Sequence, residues 1–402
     1  MAAGSVGVVV LSYAVASGRP VLGSRWHLLV LLGAWALAWV ASVWAAFRLD
    51  RRLGVGAIVL VAVCVRLAAL GGPPVSSDDL YRYAWDGRVQ VAGTDPYAQP
   101  PESPALAHLR EGWLWPDARG CARIDGRPPG CTRLNRPAVR TIYPPVAEAW
   151  FGMVYRLGGV GQRHKAWQVA GLSTDLVVIG LLAIGLRRAG RDPRWLGVYA
   201  LCPAPAYELV NNAHVDGVAI ALVLGALVVC LPGRGRNDAV RMEAWRVVVA
   251  GLLIGAAISV KVYPVVVLPA MVGVGSRRVG ALLRGSGAAL AVVVGGYVPH
   301  VASVGAKVVG YLPGYLKEEH YTTGGRFLLV SAAGLPDRFG GPMSGAVVVG
   351  VALWVVWRRP PLAVGPRPYS ERSSSQRPLS SLGTQSCSLP SRVWPDDSNG
   401  SR

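Results

Sequence analysis

Three windows of the chain, Trp26 to Phe47, Leu53 to Gly72 and Val279 to Val298, each run for about 20 residues almost without a charge. A hydrocarbon core about 30 Å thick takes about 20 helical residues to cross, and backbone at that depth must satisfy its own hydrogen bonds. These windows are therefore predicted to be transmembrane helices. With 52% hydrophobic residues over 402 positions, the expected fold class is all-α: a polytopic membrane helix bundle of about ten spans, with a long outer loop bearing interfacial helices.

Apolar segments near 5–18, 26–47, 53–72, 166–186, 195–210, 215–232, 246–260, 262–275, 279–304 and 342–357 supply the spans. The chain divides into N-terminal spans (1–72), an outer loop (73–165), a membrane bundle (166–357) and a tail (358–402). The tail is rich in Ser, Pro and Arg without periodicity, and is expected to be disordered. The N-terminus has no basic stretch ahead of its apolar run, so a short first span is expected there in place of a cleaved signal. Orientation follows from Arg and Lys in short loops. "RLDRR" (48–52), "RRAGRDPR" (187–194), the loops at 233–246 and 276–280 and the "RRPP" after Trp357 are expected on the cytoplasmic side. They share a side only if "PVAEAWFGMVYRLGGV" (145–160) lies in the interface and does not cross. Every polar cluster of interest then faces the outer surface.

The formal charge of +19 comes almost wholly from arginine, with lysine only at positions 165, 261, 307 and 317. The arginines are spread over connecting loops and form no stripe beside stacking aromatics, which argues against a nucleic-acid partner. Cys64, Cys202 and Cys230 sit in apolar stretches and read as small buried hydrophobes. Cys121 and Cys131 bracket the turn-rich run "ARIDGRPPG", and close a loop disulfide if that loop faces an oxidising compartment; two free thiols are the alternative.

Four polar clusters stand out. "VSSDDLYRYAWDGRVQVAGTDPY" (75–97) follows a span. Its plain reading is a helix capped by the Ser76 to Asp79 pattern, with Asp78, Arg82 and Asp86 forming an i, i+4 ladder on a wetted face. The functional reading makes Asp78 or Asp79 a general base, because adjacent carboxylates at a membrane rim repel and raise the pKa of at least one. In "ELVNNAHVDGVAI" (208–220), Asn211 or Asn212 is a candidate N-cap, while Glu208, His214 and Asp216 form an ionisable group where a span begins. His214 and Asp216 are candidates to bind a phosphate or hydroxyl, or to hold a cation. Lys261 interrupts "GAAISVKVYPVVVLP", whose Pro264 precludes a continuous helix; it either snorkels or neutralises a phosphate. The loop at 310–327 reads as a solvated connector or a flexible cover over a site.

The order of "SDDLYRYAWDGRVQVAGTDPY", "TIYPPVAEAWF", "NNAHVDG" and "SVKVYPVVVLP" resembles the GT-C superfamily of integral-membrane glycosyltransferases, particularly the actinobacterial polyprenol-phosphomannose-dependent mannosyltransferases, over roughly residues 26 to 330. The resemblance implies transfer of a sugar, mannose foremost, from a polyprenyl-phosphate donor to a glycolipid or glycan acceptor, with inversion, at the outer face of the cell membrane. It also implies a catalytic aspartate early in the first outer loop, matching Asp78 or Asp79 here. Arg82, Arg88, His214, Asp216 and Lys261 are then expected at the donor phosphate or substrate. Such a set of cations needs no metal, although a divalent cation is compatible. Relatives of this kind continue with further apolar segments beyond the position of Trp357, so terminal spans are expected to be missing from this chain. A secondary transporter or lipid flippase is the competing reading, since intramembrane charges and broken helices suit it equally.

Overall fold

A computed structural model describes residues 2–18, 25–124, 131–159, 161, 163–231, 244–273, 278–321, 326–327, 330 and 332–358. The expected tail, apart from Arg358, lies outside the described residues, as do parts of the 233–246 and 276–280 loops. All regular structure among the described residues is helical. In chain order the α-helices are α1 (Ala2–Ala16), α2 (Arg25–Arg48), α3 (Arg51–Ala69), α4 (Asp79–Val91), α5 (Ala118–Cys121), α6 (Pro145–Gly158), α7 (His164–Arg188), α8 (Leu196–Ala200), α9 (Asp216–Cys230), α10 (Ala244–Ile258), α11 (Arg278–Val304), α12 (Leu312–Glu318) and α13 (Gly340–Arg358).

Five helical runs, Trp26–Arg48, Arg51–Ala69, His164–Arg188, Val279–Glu318 and Asp337–Val355, are long and apolar enough to cross a membrane. Their outward faces carry apolar side chains such as Leu29, Leu60, Leu290 and Val347, each more than half exposed, as lipid-facing helices do. The molecule is a polytopic helix bundle. The other five expected segments are shorter or broken. Residues 195–210 do not form one helix: a 3-10 turn (Pro193–Trp195), α8 and a π-helical stretch (Pro205–Asn211) replace it. Pro203 and Pro205 lack the amides that a continuous helix needs. The π-helical stretch and α9 then meet at a bend of 117°. Residues Tyr263–Gly273 form a 3-10 helix, consistent with Pro264 and Pro269 in the run.

Two helix ends follow ordinary capping chemistry. The Asp50 carboxylate accepts from the amides of Arg52 and Leu53 at 3.0 and 3.2 Å and starts α3, and Arg187 and Arg188 oppose the dipole at the end of α7. Helix α10 lies close on α11 because Gly255 has no side chain; a Cβ there would sit 2.5 Å from the Ala289 carbonyl oxygen.

In the outer loop, Cys121 and Cys131 are joined by a disulfide. Closing so short a loop stabilises it by about 2–3 kcal/mol. Helix α4 is not a wetted ladder, because α6 covers it. Gly87 lets the two backbones touch, with its would-be Cβ 2.5 Å from the Phe151 carbonyl oxygen, and Tyr83 stacks on Phe151 at 4.3 Å. Arg82 and Asp86, read as solvated, are 4% and 2% exposed. Glu148 of α6 is fully buried beside them, held by the Thr141 hydroxyl at 2.7 Å and the Gln90 amide at 2.9 Å. Burial, with the Asp86 charge adding to it, pushes Glu148 well above the ordinary carboxylate range.

A buried ion pair inside the bundle went unread in the sequence. Arg66 of α3 donates to Asp175 of α7 at 2.7 Å, both at most 1% exposed, and Tyr199 donates to the same carboxylate at 2.8 Å. Breaking such a pair leaves an uncompensated charge and costs about 3–5 kcal/mol, whereas replacing both partners by apolar groups is often neutral. Arg66→Met alone is expected to lower the unfolding midpoint in detergent sharply, with Arg66→Met/Asp175→Leu restoring most of it. Equal losses in the single and double variants would show that the pair does not act as a unit.

Candidate active site

Two buried asparagines assemble the site. Asn211 and Asn212, 1% and 0% exposed, lie 136 or more residues from their partners in the linker between α3 and α4. The Asn211 side-chain oxygen accepts from the Val75 amide at 3.2 Å, and that of Asn212 from the amides of Val75 and Ser76 at 3.2 Å each. The Asn211 amide donates to the Ala69 and Pro73 carbonyls at 3.1 and 3.3 Å. The Asn212 amide donates to the Ser76 hydroxyl at 2.9 Å and to Glu208 at 3.2 Å. Gln168 of α7 completes the clamp, donating to the carbonyls of Gly72 at 2.9 Å and Asn211 at 2.8 Å. Each bond contributes about 1 kcal/mol net, and leaving a buried partner unmet costs more. Neither asparagine caps α9 as the sequence suggested; the residue at that cap is Val215, without a side-chain bond.

The clamp sets the start of α4 against the 208–216 turn. Asp78 stands at the N-cap of α4 and Asp79 at its first position. The Ser76–Asp79 capping pattern does not form: Ser76 is engaged by Asn212, and the Ser77 hydroxyl accepts the Asp79 amide at 3.2 Å. The Asp79 carboxylate accepts from the Asn135 amide at 2.7 Å and stands 4.0 Å from His214 Nε2. That nitrogen is 2.8 Å from the Ser77 hydroxyl, while Nδ1 is 3.0 Å from Glu208. Burial works against a charge on His214, but the carboxylates of Glu208, Asp79 and Asp216 outweigh it and lift its pKa above the ordinary 6.5. Two residues in this region hold left-handed backbone without being glycine: Ala213 at φ +54° and Arg136 at φ +46°. Such strain persists where surrounding bonds over-determine it, here the asparagine clamp and the Arg136 contacts described below.

Lys261 arrives from a third segment. The Ser259 carbonyl accepts the first amides of α6, those of Val146 and Ala147, at 2.9 and 3.2 Å, which fixes the 259–262 turn beside the outer loop. Lys261 Nζ then pairs with Asp216 at 3.1 Å. A fourth segment joins them: Arg136 grips Glu318 of α12 at 2.8 and 3.0 Å, which latches α12 to the outer loop.

Two cavities meet at Asp79 and Lys261. The first, of about 410 Å³, is lined by polar and aromatic groups including Asn135, Arg136, Tyr143, Tyr311 and Tyr315. The second, of about 500 Å³, is lined by Glu208, His214 and Asp216 and by the apolar Ala204, Pro205, Leu209 and Ile220. Both fall in the size range of small-molecule sites. Of the residues singled out in the sequence, Asp79, His214, Asp216 and Lys261 are gathered here. Arg82 lines the first cavity, but its Nε is held by both Asp86 oxygens at 3.0 Å. Arg88 stands 5.8 Å from the Tyr155 ring and lines neither cavity. Asn135, Arg136, Tyr311 and Tyr315 were not singled out; the density of Arg and Tyr in 133–143 was the only signal for the first pair.

No curated protein and no solved structure matches the chain. Residues 141–368, more than half of its length, match Glycosyltransferase family 87. The match takes in His214, Asp216 and Lys261, and begins after Asp78 and Asp79. That match covers more than half of the chain: the chain belongs to glycosyltransferase family 87, and it is a membrane glycosyltransferase.

Proposed function

We propose that the protein transfers a hexose, mannose in the first instance, from a polyprenyl-phosphate donor to a glycolipid or glycan acceptor at the outer face of the plasma membrane. The observation that carries this reading is the meeting of two cavities of unlike character at one carboxylate and one ammonium. The second cavity suits the donor: its apolar lining accepts a prenyl chain, and His214 and Lys261 face a phosphate. The first suits the acceptor, since Tyr311 and Tyr315 offer ring faces and Asn135 and Arg136 offer donors for sugar hydroxyls.

In the reaction, the acceptor oxygen attacks the anomeric carbon while the bond from that carbon to the phosphate oxygen breaks. The electron pair leaves with the lipid phosphate, and the hydroxyl proton passes to a carboxylate. Asp79 is the better placed of the aspartate pair for that proton, because it lines both cavities. Asn135 orients its carboxylate. Asp78, at the cap of α4, supports the start of the helix. Lys261 and His214 stabilise charge as it builds on the leaving phosphate, and Asp216 and Glu208 hold those two cations in position. Arg82 adds positive potential at the first cavity, while Arg88 has no part in this assignment.

Membranes carrying the protein, incubated with radiolabelled polyprenyl-phosphate mannose, are expected to yield a labelled glycolipid or glycan. Asp79→Asn should cut that transfer by about 10²-fold or more, the scale of a general base, and Asp78→Asn far less, both expressing normally. Full activity in an Asp78→Asn/Asp79→Asn double variant would end the base assignment.

A second expectation concerns pH. Because the folded state raises the pKa of His214, its charge is fully present below about 6.5 and is lost as pH rises through the raised value. The donor KM should therefore climb on the alkaline side, and His214→Gln should flatten that climb. An unchanged profile in the variant would remove His214 from donor binding.

A further inference from the structure

Asp79 and Tyr81 lie about 200° apart around α4, so the face of α4 turned away from the transfer site borders a different cavity. This one measures about 800 Å³ and is lined by Tyr81, Trp113, Trp115, Arg123, Arg133 and Arg163, with Asp117 as its one acid. Its lining includes Pro73, just beyond the end of α3, and Arg163 and His164 at the start of α7. Both helices are long and apolar enough to span. The cavity thus sits at the level where two spans leave the hydrocarbon, with tryptophans in its wall, as at membrane interfaces.

Its chemistry is one-sided. Among the described residues none of Arg123, Arg133 and Arg163 is ion-paired; Arg133 only faces the Tyr81 ring at 5.8 Å. The Asp117 carboxylate is already committed to the Gly120 amide at 2.7 Å. Helix α7 begins here with no acid in its first turn and no side-chain cap. A cavity lined by three guanidinium groups against one committed carboxylate favours an acceptor-rich ligand, and guanidinium pairs best with the oxygens of a phosphate.

We infer that this cavity binds the phosphate headgroup of an anionic membrane phospholipid, which is not a substrate and which fastens the outer loop to the bilayer. Phosphatidylglycerol meets the requirement, with one phosphodiester for the arginines and a small polyol against the tryptophans. The same helix carries Tyr81 into this cavity and Asp79 into the transfer site, so an occupied headgroup site also steadies α4.

The test is native mass spectrometry of the full chain released from nanodiscs of phosphatidylcholine containing a minor fraction of phosphatidylglycerol. The wild-type protein should retain phosphatidylglycerol in preference to phosphatidylcholine. Arg133→Gln/Arg163→Gln should weaken that retention about thirtyfold, at roughly a factor of five per arginine near a membrane surface. Arg187→Gln/Arg188→Gln, with the same charge change at the other end of α7, should leave it intact. Equal losses in the two double variants would reduce the effect to general charge and overturn the site. So would a wild-type protein that shows no preference, a result that does not depend on how the variants fold. Added glycerol phosphate that displaces nothing supports a lipid ligand; protection by free phosphate without lipid retention would overturn it.

Discussion

The structure turns on the hydrogen bonds of Asn211 and Asn212. Bilayer-spanning helices are rigid and well separated in sequence, and the linker between α3 and α4 has little apolar surface with which to choose a position. Two carboxamides, each acting as donor and acceptor, give that linker a fixed seat on the 208–216 turn. They do so where water is excluded, so misplacement leaves several polar groups unmet at once. The seat places Asp79 beside His214. Without it, a carboxylate at the head of α4 and a histidine before α9 would share only a membrane surface.

Charges elsewhere follow the same logic of mutual fixing. Lys261 is held by Asp216, His214 by Glu208, and Arg136 by Glu318. These three groups therefore arrive with a carboxylate behind them, which orients each before substrate enters. Preorganised charge of this kind is most useful when a phosphate leaves, because no dipole has to turn during the step. The Asp86, Glu148 and Arg82 cluster lies deeper and acts differently. It fills the space between α4 and α6 with a buried, hydrogen-bonded network, and thereby fixes the helix on which Asp79 stands.

Much of this was legible in the sequence, because a bilayer imposes simple rules. The apolar windows gave α2, α3, α7, α11 and α13, and Pro264 marked the break after Lys261. The convergence of 75–97, 208–220 and 259–264 followed from charge in the short loops alone. What stayed hidden depended on long-range pairing. Arg66 drew no reading from its span, because its partner Asp175 lies 109 residues away. Arg82 and Asp86 read as solvated, since nothing local to α4 announces that α6 will cover them. Asn211 and Asn212 fit a helix cap by spacing, but tertiary partners outbid that local role. Asn135 and Arg136 carry no motif at all, and come to the site only because the outer loop folds back over α4.

Cysteine pairing across the clamp tests the central claim most directly. In a chain whose cysteines other than the Cys121–Cys131 pair are replaced, Ser76→Cys and Asn212→Cys stand where side-chain atoms are now 2.9 Å apart. The account predicts a disulfide that forms spontaneously, sugar transfer that persists while it is closed, and transfer that falls when it is reduced, beyond any loss in a reduced parent that keeps Ser76 and Asn212. Failure of the bond to form in folded protein, or transfer equal to the parent after reduction, would contradict it.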